Sequence, residues 1–371
     1  MQIGLVIYGS LETPSGGYYY DRRLVEFLRT QGDAVHVISL PEGNLASHLL
    51  ENLTLRLPSG PDKQAGEANH AASEKRSRKF DLILQDELNA PSLLRANHAP
   101  RSAPIVGLIH HLRSSEPSNW ASRAIHQGIE KAFLRALDAI VCNSVTTRKA
   151  VFNLAGPHES TLVAPPPTDR FGPPLAEDVI LRRASRPGPL RLVFLGNVIR
   201  RKGLHTLLSA LSLVSRRSWS LDVVGSLEME PRYASRVRHR ALSMHSSDTI
   251  RFHGSLEEPQ VGRILRGSDA LVVPSEYEGF GIAYLEGMCF GLPALGTTAG
   301  AASEIITDGV DGFLNAPDDA VRLAESLTRL RERKELSRMS LAARRRYMRQ
   351  PPWSATATRI RSFFRHLVSA G

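Results

Sequence analysis

Short apolar runs alternate with longer amphipathic stretches along almost the whole chain, and this alternation constrains the fold more than any other feature. In the first half the apolar runs fall at residues 3–8, 34–40, 81–85, 104–110, 139–143 and 162–164, with helical patterns such as 21–30 and 121–137 between them. Parallel strands need a crossover long enough to hold a helix, so repeated strand-helix-strand predicts a parallel sheet with helices on both faces. Between about 164 and 189 the segments "APPPTDRFGPP" and "SRPGP" concentrate proline, which neither continues a helix nor sits inside a sheet, and the stretch reads as a linker. The alternation then restarts at 190–196, 221–225, 250–254, 270–274, 293–297 and 313–316. The expected fold class is α/β: two Rossmann-like halves facing each other, with the cleft at the carboxyl ends of their strands as the expected site.

Composition agrees with this reading and excludes several others. At 371 residues the chain exceeds what one core usually organises, and 42% apolar with 23% charged residues is ordinary for a soluble globular protein. No apolar stretch approaches the ~20 residues needed to span a bilayer, and "MQIGLVIYGS" has no basic region ahead of its apolar run, so it reads as a buried strand. Cys142 and Cys289 lie in apolar settings without C-x-x-C spacing, which points away from a disulfide framework or zinc site and toward a cytoplasmic protein. The net charge is +10, and residues 329–350 carry nine Lys or Arg against two Glu. Two readings of that cluster are open, a solvated helix face or peripheral contact with the anionic inner face of a membrane. Only Tyr347 is available there to stack on bases, so nucleic acid is not an expected partner. Residues 57–80 lack periodicity and read as a surface excursion or as a flap for an acceptor.

The chemistry concentrates in "PSEYEGFGIAYLEG", residues 274–287. Glu278 precedes Gly279, Phe280 and Gly281, and Glu286 follows on a helical pattern that begins at Ile282. A helix start beside glycines presents backbone N–H groups and the positive end of a dipole, a place suited to phosphate. Carboxylates are unwelcome there unless they accept hydrogen bonds, and sugar hydroxyls are suitable donors; a capping or solvated role is the alternative. The G-F-G stretch lacks the third glycine of a dinucleotide fingerprint and lies late in its half. In "LVFLGNVIRRKGLHTLLSAL" a strand ends at Gly196 and a helix starts near Gly203, leaving Arg200, Arg201 and Lys202 in the turn between, where they either neutralise a diphosphate or face water.

Together these motifs resemble the retaining nucleotide-sugar glycosyltransferases of the family 4 type, which have the GT-B fold. The resemblance covers most of the chain, is weakest at 57–80 and after 346, and is most specific in the E-x7-E pair, Glu278 and Glu286, within "PSEYEGFGIAYLEGMCFGLPALGTTAGAASEIITDGVDGFL". It implies that Glu286 holds the ribose, that Glu278 and the backbone of Gly279, Phe280 and Gly281 hold the transferred sugar, and that Lys202 meets the diphosphate. Asn197 stands where the family usually has arginine, so Arg200 or Arg201 is expected to supply that charge. In the first half the resemblance assigns Gly16 and Gly17 to the diphosphate and sugar, His110 to the donor sugar and incoming acceptor, and His111 to the acceptor side. It implies a first domain of 1–170 plus 352–371, the terminal helix crossing back to it, and a nucleotide-sugar domain of 185–350. The expected activity is metal-independent, retaining transfer of a hexose from a UDP- or GDP-linked donor to a hydroxyl of a glycan, lipid-linked or small-molecule acceptor. No D-x-D pair at a strand end offers a metal site, and the nucleotide sugar is a substrate, so no cofactor is expected. An inactive sugar-nucleotide-binding subunit, or a phosphorylase or epimerase on the same scaffold, are the alternatives.

Overall fold

The computed structural model describes residues 1–13, 15–60, 79–101, 103–244 and 249–370. It divides into two units, Met1–Pro166 with Trp353–Gly371, and Pro167–Pro352. Most of the aperiodic segment, 61–78, lies outside the described residues.

The first unit runs β1 (Gln2–Tyr8), α1 (Gly16–Thr30), β2 (Ala34–Leu40), α2 (Leu45–Glu51), β3 (Leu82–Asp86), α3 (Ala90–Leu93), β4 (Ile105–Ile109), α4 (Trp120–Arg135), β5 (Ala139–Cys142), α5 (Val145–Ala155) and β6 (Thr161–Val163). Its six strands are all parallel, in the order β2-β1-β3-β4-β5-β6. Alternate residues of β1 serve opposite faces. Ile3, Leu5 and Ile7 pack with Leu24 and Leu28 of α1, while Val6 joins Ile83, Ile105, Phe133 and Leu134 on the other side. A sheet covered on both faces explains why its strands read as nearly continuous apolar runs.

The second unit runs α6 (Glu177–Ala184), β7 (Leu190–Leu195), α7 (Leu204–Ser212), β8 (Trp219–Val224), α8 (Pro231–Ser243), β9 (Ile250–Gly254), α9 (Glu258–Gly267), β10 (Ala270–Val272), α10 (Ile282–Cys289), β11 (Ala294–Thr297), α11 (Ala302–Ile305), β12 (Gly312–Asn315), α12 (Ala320–Leu330) and α13 (Arg333–Met348). The strand order β12-β11-β10-β7-β8-β9 is that of a Rossmann fold, again all parallel. Each sheet has a switch point where the order reverses, between β1 and β3 in one and between β7 and β10 in the other. At those places successive crossovers leave on opposite faces, opening a crevice beyond the strand ends.

One expectation needs correction. The proline-rich stretch 164–189 is more than a linker, because it holds α6, whose Ile180 and Arg183 are buried. Arg183 donates through Nη1 and Nη2 to the carbonyls of Phe290 and Gly291, each at 2.8 Å, closing the end of α10. Helix-forming "EDVILRRA" sits between the two proline groups, and their composition masked its apolar stripe. Two arginines of the basic segment are tied into their own unit: Arg344 reaches the Leu175 carbonyl and Glu177, and Arg346 the carbonyls of Ile305 and Glu304. The terminal helix α14 (Trp353–Ala370) belongs to the first unit, where Trp353 and Phe364 are buried in its core and Trp353 Nε1 donates to the Arg23 carbonyl at 3.3 Å. Among the described residues no helix is long and apolar enough to cross a membrane.

Candidate functional site

In the second unit the β7–β10 switch point brings the basic turn and the glutamate loop together. Arg200–Lys202 form a single 3-10 turn, closed by Gly203 in the left-handed region at φ 71°. A Cβ at Gly203 would lie 2.0 Å from the Pro274 carbonyl oxygen, so glycine is what lets the turn press against the loop carrying Glu278. Lys202 Nζ donates to Glu278 Oε1 at 2.6 Å, and Ser275 Oγ donates to the same oxygen at 2.6 Å. Arg201 Nη1 donates to the Tyr277 carbonyl at 2.9 Å, and the Arg201 carbonyl accepts from the Glu276 N–H at 2.7 Å. Asn197 stands half-buried just past β7, its carbonyl accepting from the Ile199 N–H at 2.9 Å.

Backbone constraints fix the far side of the glutamate loop. Gly281, left-handed at φ 100°, begins α10, and Gly300, at φ 74°, leaves room for the Glu278 carbonyl, which accepts from the Ala301 N–H at 2.8 Å. The Phe280 side chain is buried in the core, so this residue can offer a ligand only its backbone. Burial pushes the Glu278 carboxyl up, but the charges of Lys202 and Arg201 outweigh it and hold the group below the ordinary carboxylate range. Burial dominates at Lys202 itself, lowering the ammonium despite Glu278.

Glu286 is not part of that pair. It sits on α10, 5% exposed, where Oε1 accepts from Arg170 Nη1 at 3.2 Å. Burial raises its carboxyl above the ordinary value, with Arg170 working against the rise.

The first unit carries a second polar group at its own switch point. Ser15 caps α1 by accepting from the Tyr18 N–H at 3.1 Å, so Gly16 and Gly17 form the first helical positions. A Cβ at Gly17 would meet His110 Cδ2 at 3.1 Å, so glycine is what lets the helix start lie against the imidazole. His110 Nε2 lies 3.1 Å from Asp21 Oδ1 and 3.8 Å from Asp86 Oδ2, and the His110 N–H donates to Glu87 at 3.0 Å. Burial alone would lower the imidazole, but Glu87 and Asp21 raise it to about 10, so it is a cation at neutral pH. Burial, with Glu87 and Asp21 beside it, raises the Asp86 carboxyl strongly. His111 pairs instead with Glu116 at 2.8 Å.

Sequence reasoning missed Arg170, Ser275, Asp21, Asp86 and Glu87. Asp21 had a readable signal, an acid four residues after Gly17 and therefore on the same face of α1. Arg170 had none, since its partner is 116 residues away. Among the described residues two clusters have donor atoms close enough for a metal ion, Asp21–Asp86–His110 and His205–Glu276–Asp318; neither includes Lys202, Glu278 or Glu286.

Comparison with known proteins bears on the family and the fold. Residues 15–170 match Glycosyltransferase Family 4, and residues 180–346 match the glycosyl transferases group 1 family. Glycogen synthase of Mycobacterium tuberculosis is 27% identical over 69% of this chain, and the match takes in 61% of that protein's length. Phosphatidyl-myo-inositol mannosyltransferase of the same organism is 25% identical, covering 100% of this chain and 98% of the other. The structure of Anabaena HepE in complex with UDP and glucose superposes with a TM-score of 0.72 at 17% identity, covering 98% of each chain. The fold is GT-B, and the chain belongs to the family 4-type glycosyltransferases.

Proposed function

We propose that the protein transfers a hexose, with retention and without a metal ion, from a UDP- or GDP-linked donor to a hydroxyl acceptor. The observation that carries this reading is Glu278, buried and charged at the sheet's switch point, with Lys202 and Ser275 on one oxygen. Lys202 and Arg201 would neutralise the donor's diphosphate, and Glu286 would accept hydrogen bonds from the ribose hydroxyls. The backbone of Gly279, Phe280 and Gly281 would line the sugar. A UDP-linked donor is favoured by the UDP and glucose bound in HepE.

In this reading retention comes from breaking and forming the bonds to the anomeric carbon on one face of the sugar. A carboxyl held below its ordinary range is a poor base, so Glu278 positions the sugar and stabilises the positive charge that develops at the anomeric carbon. The bond from that carbon to the phosphate oxygen breaks with its electrons leaving on the phosphate. That oxygen takes the acceptor's proton, and the acceptor oxygen bonds to the carbon from the same face. His110, cationic and held by Asp21, would act as a hydrogen-bond donor to a sugar or acceptor oxygen and not as a base. Calorimetry with UDP, GDP and their hexose conjugates tests the donor assignment. Tight binding of one nucleoside diphosphate with slow hydrolysis of its sugar conjugate is expected, and binding of neither would overturn it.

A further inference from the structure

We infer that Arg170 is a positioning residue of the nucleoside site, acting through Glu286, an inference that rests on the proposed role of Glu286 toward ribose. Arg170 belongs to the 3-10 turn Asp169–Phe171, in the proline-rich stretch immediately after the chain enters the second unit. Its guanidinium spans two carboxylates, with Nη1 3.2 Å from Glu286 Oε1 and Nε 3.4 Å from Glu258 Oε2 at the start of α9. The Phe171 ring lies beneath it at 5.1 Å and packs edge-on to Phe290, which follows α10. One side chain from an otherwise irregular stretch is thus seated between the beginning of α9 and the middle of α10.

The chemistry follows from burial. A carboxylate accepts hydrogen bonds from a ribose diol well only when ionised, and burial at Glu286 opposes ionisation. The charged groups that face it are Arg170 from the turn, Glu258 from α9 and Lys202 from the basic turn, with the Cys289 thiol further along α10. Glu258 raises the Glu286 carboxyl, and Lys202 is engaged with Glu278, so Arg170 is the main cation favouring its charged form. Its hydrogen bond to Oε1 also fixes how the carboxylate is turned. The ligand this arrangement selects is a nucleotide with both ribose hydroxyls present.

The test is calorimetry on the wild-type protein, R170Q, R170K, E286Q and the R170Q/E286Q double variant, with UDP, GDP, 2′-deoxy-UDP and inorganic pyrophosphate as probes between pH 6 and 9. Because Glu286 titrates above the ordinary carboxylate range, nucleotide affinity should fall as pH drops through that raised value. In R170Q the fall should begin at a higher pH. Each unit of displacement is about a tenfold loss of affinity on the acid side. The loss should shrink toward pH 9, discrimination against 2′-deoxy-UDP should narrow, and pyrophosphate should bind as in wild type. R170K, which keeps the charge but not the two-carboxylate reach, should lie between, and R170Q should add nothing in an E286Q background. An unchanged pH profile and unchanged discrimination in R170Q, with wild type binding normally, would overturn the inference. So would tighter binding, which would mark the pair as a latch that the ribose must break. If wild type binds pyrophosphate but neither nucleoside diphosphate, the proposed function itself fails and this inference with it.

Discussion

Lys202 meets its counter-charge before any donor arrives, because Glu278 already occupies the ammonium at 2.6 Å. In the proposed mechanism a diphosphate would have to draw Lys202 from a buried ion pair or share it. Replacing Lys202 by Ala is expected to weaken UDP or GDP by roughly 1.5–3 kcal/mol, the range for a charge-assisted hydrogen bond, and the monophosphates by less; calorimetry with both measures the difference. If Glu286 acts on ribose as proposed, Glu286→Ala should cost a similar amount against nucleosides of any phosphate length. A third residue-scale expectation concerns Asp21. His110 is raised in the folded protein, so its pairing stabilises fully below an unfolded imidazole value of about 6.5. That stabilisation is lost as pH rises through about 10. Asp21→Asn should then cost about 3–5 kcal/mol near pH 6, as for a broken buried pair, and visibly less at pH 10; denaturant unfolding at the two pH values checks it. The glutamates, Lys202 and His110 were legible because each stands at a strand's end or in a helix's opening turns, where local pattern marks position. Asp86 and Glu87 follow an apolar run and could have been noticed; Arg170 could not, since only the folded chain brings a turn beside α10.

At the scale of elements, glycines decide whether the two loops meet. Gly203→Ala would place a Cβ 2.0 Å from the Pro274 carbonyl and strain a left-handed backbone. We expect it to separate the basic turn from the Glu278 loop, costing about 1–3 kcal/mol in stability and lowering diphosphate affinity as well. Unfolding and nucleotide titration of the variant read the two effects separately. The strand pattern was readable almost throughout, because strands buried on both faces, such as β3 (Leu82–Asp86) and β4 (Ile105–Ile109), leave apolar runs, and the partly exposed edge strands β2 (Ala34–Leu40) and β9 (Ile250–Gly254) also fall where they were expected. α6 was not, because its eight residues lie between proline groups whose breaking power dominates any local window. Asn197 stays at the end of β7, and the neighbouring Arg201 is turned toward the Tyr277 carbonyl.

For the molecule as a whole, part of the positive charge near the end of the second unit has a structural use, while Arg329, Arg331, Lys334, Arg345 and Arg349 are exposed. Arg344 and Arg346 hold carbonyls of neighbouring loops, and Arg338 holds the Gly309 carbonyl at 2.8 Å. Replacing Arg344 and Arg346 by Ala should lower the unfolding temperature without changing association with anionic vesicles, a pair of outcomes that unfolding and flotation assays read independently. The division into two parallel-sheet units was legible from the restart of alternation after the prolines, since a second set of strands needs a second core. The central claim, retaining and metal-independent transfer directed by Glu278, is tested most directly by the anomeric configuration of the product. With the accepted UDP- or GDP-hexose, a hydroxyl acceptor and excess EDTA, nuclear magnetic resonance should show the product linkage in the donor's own configuration. Glu278→Gln should still bind the nucleoside diphosphate while forming product at least about a hundredfold more slowly. An inverted linkage, loss of turnover on chelation, or full activity in the Glu278→Gln protein would contradict it.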